Sequence, residues 1–285
     1  MIKQYLNNFI PTQGEKLWSN IKQQSTIYRE YSPIRKLQPY IACYWTSKTI
    51  NTTNEVVTSR VIPDGCMDIV FDIGEINKGK CGSVCGLMTK SSEEEVKGTS
   101  EFLGVRFWPG GIIPFLKISA NDFTDKSVSL DDILGKLALE ISERLCFSET
   151  LSERLMIIED ELVRLILKAG VSNELMICAL YEIYKHRGII SIKNLSQEMN
   201  MSQRQLSRNF KNWIGTNPKT FVNIIRFQNI IKQLNEATNI NLQDMVFENG
   251  YYDQAHFIKD FKTFYGKTPG RLKYDVHFLQ YNNHN

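Results

Sequence analysis

Apolar and polar positions change rhythm along this chain. Between residues 38 and 108, short apolar runs alternate with turn residues. Ile41-Ala42-Cys43-Tyr44-Trp45-Thr46, Ile69-Val70-Phe71-Asp72-Ile73 and Phe102-Leu103-Gly104-Val105-Arg106-Phe107 are rich in β-branched and aromatic side chains, which suit half-buried strands. Pro63-Asp64-Gly65, Asn77-Lys78-Gly79 and Pro109-Gly110-Gly111 separate them, as turn formers do. The spacing predicts a small antiparallel sheet or barrel. Glu93-Glu94-Glu95 reads as a solvated loop tip.

From Asp131 the apolar period becomes helical. Leu134, Leu137, Ile141 and Leu145 form one stripe, and Leu155, Ile158, Leu162 and Leu165 another. Ala169-Gly170-Val171-Ser172-Asn173 interrupts the pattern, with Gly170 placed to end a helix. Everything beyond reads as helical. The expected fold class is α+β: a mainly-β sensor domain over 1–130, a helical connector over 131–173, and an all-α domain over 174–285.

The last part repeats itself. Phe210, Lys211, Gly215 and Pro218 recur as Phe261, Lys262, Gly266 and Pro269, each 51 positions on. The same offset pairs Leu195 with Val246, Met201 with Tyr252, Ser202 with Asp253, Gln203 with Gln254, Leu206 with Phe257 and Arg208 with Lys259. Ser202 and Asp253 are good helix N-caps, and Gln205 completes a capping box with Ser202. Leu206 and Phe210 share a helical face, as do Phe257 and Phe261; these faces should be core. The glycines sit where helices end, and the prolines where the next ones begin. A short helical segment precedes each cap, so two helix-turn-helix units are expected over 192–214 and 242–265. Between them, 218–236 predicts one helix with Phe221, Ile224, Ile225, Gln228, Ile231 and Leu234 as its stripe. At 1.5 Å per residue it is about 28 Å long, close to the roughly 34 Å between successive major grooves.

Charge sharpens this picture. The net charge of +3 divides unevenly: residues 174–285 hold 14 Lys/Arg against 9 Asp/Glu, and residues 1–173 hold 20 against 22. A basic C-terminal part suits a polyanionic partner. No apolar run approaches the roughly 18 residues of a membrane span, and the first residues lack a signal-peptide pattern, so a cytoplasmic location is expected. The six cysteines are irregularly spaced and read as thiols.

Leu195-Ser196-Gln197-Glu198-Met199-Asn200-Met201-Ser202, Leu206-Ser207-Arg208-Asn209-Phe210-Lys211 and Gly215-Thr216-Asn217-Pro218 resemble the DNA-binding domain of AraC/XylS-type transcription regulators. So do the run from Gly250 to Lys262 and Gly266-Lys267-Thr268-Pro269. The resemblance covers about a third of the chain. Leu272 stands where that family usually has an aromatic residue. The resemblance implies two helix-turn-helix subdomains on a long helix, each placing its second helix in the major groove of promoter DNA. Carried over by position, it implies base contacts from Arg204, Ser207, Arg208, Gln254, Ala255 and Lys259. Gln203, Lys211, His256 and Lys262 are the expected phosphate contacts. It further implies RNA polymerase as a partner of an activator, an effector that is a small molecule or a protein, and a connector suited to a homodimer. Val61-Ile62-Pro63-Asp64-Gly65-Cys66-Met67-Asp68 and the run from Gly104 to Gly111 look like a sensor-type domain of a related branch.

Other chemistry is weaker. His256 lies on the DNA-binding segment without a motif partner, so a structural or phosphate-contact role outweighs catalysis. Cys81, Cys85 and Cys66 form either a metal or redox site or buried thiols; their spacing favours thiols. Tyr44, Trp45, Phe107 and Trp108 either line a ligand pocket, with Arg106 and Asp68 orienting a polar ligand, or are plain core. No phosphate loop, zinc-protease motif or nucleophile elbow is present, and no metal or cofactor is expected. The competing reading is a thiol-based DNA repair or redox-sensing protein, using Cys66 or Cys85, with a DNA-targeting tail.

Overall fold

The computed structural model describes residues 13–14, 24–51, 57–76, 80, 82–96, 98–168, 173–236, 242–269 and 278–279. The strands are β1 (Gln13–Gly14), β2 (Gln24–Tyr31), β3 (Ile41–Asn51), β4 (Val57–Val61), β5 (Met67–Asp72), β6 (Ser83–Cys85), β7 (Ser92–Val96), β8 (Ser100–Phe107), β9 (Ser127–Ser129) and β10 (Phe278–Leu279). Six of them form one antiparallel sheet in the order β2-β3-β8-β5-β6-β9. Strand alternation puts Leu103, Val105 and Phe107 into the core with Ile69 and Phe71.

The acidic run is a strand rather than a loop tip. Glu93, Glu94 and Glu95 lie in β7, opposite β4. Arg60 Nη2 donates to Glu93 Oε1 at 2.6 Å, so ladder bonds and a cross-strand ion pair hold the charged segment extended. Ile73 likewise leaves the predicted strand. It begins the short helix α1 (Ile73–Ile76), because Asp72 Oδ1 accepts from the Gly74 and Glu75 amides at 3.0 and 3.2 Å. The Asn77–Gly79 turn lies outside the described residues.

Helices α2 (Ile113–Leu116), α3 (Leu130–Leu134), α4 (Lys136–Cys146) and α5 (Leu151–Leu167) follow. Gly135, at φ 54°, splits the first predicted helical stripe between α3 and α4. A capping box of Thr150 and Glu153 starts α5. Ile141 from α4, with Ile158 and Leu162 from α5, lies over Ile69, Phe71, Val105 and Leu116. The two helical stripes therefore bury themselves against the sheet. Gly170 lies outside the described residues.

The C-terminal helices are α6 (Glu174–Lys185), α7 (Ile192–Glu198), α8 (Gln203–Ile214), α9 (Pro218–Glu236), α10 (Leu242–Glu248) and α11 (Gln254–Tyr265). The predicted single stripe on α9 understates its burial. Val222, Phe227 and Ile230 are buried as well as Phe221, Ile224, Ile225, Gln228 and Ile231. The reason is its surroundings: neighbours pack on it from more than one side, and Lys219 and Lys232 stay exposed. Phe221 meets Phe210 of α8 at 6.0 Å between ring centroids, and Phe227 meets Phe261 of α11 at 5.6 Å. Among the described residues, no helix is long and apolar enough to cross a membrane.

Candidate nucleic-acid interface

Helices α8 and α11 are built alike. In α8 the Gln205 amide donates to Ser202 Oγ at 3.2 Å, and Gln205 Oε1 accepts from the Ser202 amide at 3.0 Å. In α11 the His256 amide donates to Asp253 Oδ1 at 2.7 Å. Each cap satisfies an amide of the first turn that has no partner inside the helix. Leu206, Phe210 and Ile214 bury one face of α8, and Phe257, Phe261 and Phe264 one face of α11. Gly215 and Gly266 close the two helices at φ 97° and 86°, a left-handed conformation that costs glycine little.

The turns before these helices differ by one residue. Asn200 (φ 50°) and Gly250 (φ 69°) end the preceding helices. The Met201 amide donates to Ser196 O at 2.9 Å, and the Tyr251 amide donates to Val246 O at 3.1 Å. Upstream of the caps, Met201 therefore corresponds to Tyr251 rather than Tyr252, and Ser196 rather than Leu195 corresponds to Val246. The left-handed closure is set from the helix behind it and the cap from the helix ahead. Tyr252 is the extra residue between them, and it is 88% exposed.

Arg204, Arg208, Gln203 and Lys211 are exposed on α8, with Ser207 half-buried. Gln254, Ala255, His256, Lys259 and Lys262 are exposed on α11. Arg204, Ser207, Arg208 and Lys211 come together on one wall of an open cleft of about 440 Å³. Ser119 and Asn121, which the sequence does not single out, line it too. The two helices differ in charge. Asp253 caps α11, and His256 Nε2 lies 3.6 Å from Asp260 Oδ2 while its ring packs on Tyr251 at 5.1 Å. His256 is thus held by two neighbours of its own unit.

In the β domain, Arg106 and Asp68 do meet. Arg106 Nε and Nη2 donate to Asp68 Oδ1 and Oδ2, both at 3.2 Å, and Asp64 Oδ2 lies 3.7 Å from Arg106 Nε. They pair with each other, as a fork-to-fork ion pair. The four aromatics do not line one pocket, because neighbours along a strand point to opposite faces. Tyr44 and Phe107 belong to the core, Trp45 stacks on Tyr28 at 6.0 Å, and Trp108 Nε1 donates to Gln38 O at 3.3 Å. Cys66 is buried, and burial pushes its thiol well above the usual range, as it does for Cys43. Such thiols stay protonated and poorly nucleophilic. Cys85 is half-buried, with Sγ 3.7 Å from Ser127 Oγ, and Cys81 lies outside the described residues.

Residues 195–274 match the family model described as a helix-turn-helix domain, and residues 29–129 match a domain of unknown function, DUF6597. The chain is similar to the HTH-type transcriptional regulator MtrA of Neisseria gonorrhoeae, with 32% identity over 83 residues, which is 29% of this chain. It spans 27% of that relative's length. Among solved structures it is similar to the C-terminal domain of AraT, a response regulator from Geobacillus stearothermophilus (21% identity, 40% of this chain and 94% of that one, TM-score 0.35). It is also similar to ToxT from Vibrio cholerae O395 (12% identity, 90% and 99%, TM-score 0.39).

Proposed function

We propose that the AraC-type helix-turn-helix domain carried at residues 195–274 reads two adjacent major-groove segments of promoter DNA, under the control of the β domain. One observation carries this reading. Two helices with matching caps and closures present exposed polar faces, and both pack on one buried helix, α9. A rigid spacer of about 28 Å suits neighbouring grooves roughly 34 Å apart.

In this reading Arg204, Ser207, Arg208, Gln254, Ala255 and Lys259 meet base edges. An arginine pairs bidentately with guanine, and Ala255 offers a methyl group to thymine. Gln203, Lys211, His256 and Lys262 meet phosphates, which position without specifying. The α8 face carries Arg204, Arg208 and Lys211, whereas α11 brings Asp253 and Asp260 beside Lys259 and Lys262. The first unit is therefore the main anchor. The division into a sensor over 1–130, a connector over 131–173 and a DNA-binding part over 174–285 belongs to the same proposal. So do activation through RNA polymerase, an effector bound by the β domain, and action in the compartment that holds DNA. The raised thiol of Cys66 gives the repair-enzyme alternative no support.

Selection of duplexes from a random-sequence pool by the full chain tests the proposal. The expected product is a bipartite site with half-sites about one helical turn apart. Enrichment of a single short motif would exclude simultaneous reading by both units.

A further inference from the structure

Helix α6 ends beside the last turn of α7. Arg187 and Gly188, at φ 52° and 71°, reverse the chain after α6, and the Gly188 amide donates to Ile183 O at 2.9 Å. A Cβ on Gly188 would come within 2.5 Å of the Arg226 nitrogen and the Val222 oxygen in the backbone of α9. The turn is therefore seated on the buried helix, and its course is fixed. Ser191 Oγ then accepts from the Asn194 amide at 3.0 Å and starts α7. Leu195 is buried, and α7 packs back on α6.

Three side chains that ligate metals meet there. Glu182 and His186 lie one helical turn apart, on α6 and at its cap, so they share a face. Glu198 is the final residue of α7. The ligand atoms of the three lie within 4.8 Å of one another, and Glu182 Oε2 is 3.5 Å from His186 Nε2. Zinc bonds of about 2.0–2.2 Å in a tetrahedron put neighbouring ligand atoms about 3.4 Å apart. The pair at the end of α6 already has that separation. Glu198 is exposed, so a change of side-chain rotamer brings its carboxylate in.

A second observation shows that the cluster draws cations. Lys185 Nζ lies 3.4 Å and 3.2 Å from the two Glu182 carboxylate oxygens. Its ammonium is held above the ordinary lysine range, chiefly by the bond to Glu182 and that carboxylate's charge, with Glu198 adding to it. An exposed lysine pair of this kind is weak. A divalent ion bound by two carboxylates and an imidazole carries twice the charge and makes three bonds, so it displaces the lysine.

We propose that Glu182, His186 and Glu198 form a zinc site that braces α6 to α7, leaving a fourth position to water. The imidazole favours zinc over magnesium and calcium, which take oxygen ligands. None of the three residues belongs to the proposed DNA-contact set, so the site stands apart from that reading. The sequence carries no metal motif here because the third ligand comes from a second helix. Ligands drawn from two helices are brought together only in the folded chain, so zinc favours that form.

The test uses the full chain stripped by a chelator, with zinc chloride or magnesium chloride as the probe. Zinc at about ten times its dissociation constant is expected to raise the melting temperature by about 2–4 °C. Equilibrium dialysis with metal analysis is expected to find one more zinc ion per chain than in His186→Gln or Glu198→Gln. Both variants should lose the zinc-induced shift, and magnesium should shift none of the chains. All cysteines stay in place, so zinc taken up by exposed thiols such as Cys146 and Cys178 is common to every chain and cancels. His186 and Glu198 are exposed, so the metal-free variants should melt with the original chain; should one fold poorly, the other decides. Equal zinc uptake and equal shifts in the original chain and a folded variant overturn the proposal. So does a shift that magnesium reproduces, which would mark plain screening of the carboxylates.

Discussion

Gln228 and Pro63 lie 165 residues apart in sequence, yet the Gln228 side-chain amide donates to the Pro63 carbonyl at 2.7 Å. Both residues are buried. Beside them, Gly65, at φ 85°, presses on Phe221 and Ile225 so closely that an added Cβ would meet the Phe221 ring at 3.2 Å. The β domain is thus keyed into the helix that carries both helix-turn-helix units. A buried polar group that loses its partner costs about 1–3 kcal/mol. Gln228→Leu should lower stability by that amount in denaturant unfolding. An unchanged midpoint would show that the two domains do not hold this contact in solution.

Arg208→Ala is expected to weaken binding to the selected duplex by about 1–3 kcal/mol and to relax preference at one base position. Lys211→Ala should weaken binding to all duplexes alike, because a phosphate contact carries no sequence information. Binding measured across a set of single-base variants separates the two patterns. A uniform loss for Arg208→Ala would move that residue to the phosphate set.

Affinity should fall steeply with salt. Each neutralised phosphate adds about 0.9 to the slope of log affinity against log salt. A fluorescence anisotropy series from low to moderate ionic strength should therefore lose affinity at every step, and Lys262→Ala should flatten the slope by about one. A flat series would contradict DNA binding through these cations.

Ser202→Ala removes the hydroxyl that accepts from Gln205 at the start of α8. A lost N-cap costs about 1 kcal/mol. Phe257→Ala removes a ring packed against Tyr251 at 5.3 Å and Phe261 at 5.7 Å, and such core truncations cost about 3–5 kcal/mol. Thermal melts of the two variants should rank in that order.

Tyr252 is different. Its ring is exposed, so Tyr252→Ala should leave stability within about 0.5 kcal/mol. It stands directly before the cap of α11, where the proposed DNA surface begins, and the substitution is expected to weaken duplex binding. Unaltered affinity would remove Tyr252 from that surface.

The helix-turn-helix units were legible because local physics specifies them. Ser202, Asp253, Gly215 and Gly266 act within a single turn of backbone, and Leu206, Phe210, Phe257 and Phe261 mark faces by spacing alone. The one-residue slip at Tyr252 escaped this reading. A constant offset has no means of showing that the left-handed residues Asn200 and Gly250 lie 50 positions apart while the caps lie 51 apart. Sequence also gave Arg106 and Asp68 as companions, but not that they satisfy each other.

By itself, then, the sequence determined which segments are helices with a polar face, where they start, and that there are two of them. These properties depend on neighbours within about four residues. The tertiary structure decided what those faces meet. It buried most of α9, paired Glu93 with Arg60 across two strands, and set Ser119 and Asn121 beside Arg204 and Arg208. Such contacts depend on how distant surfaces fit, and periodicity along a chain does not encode that.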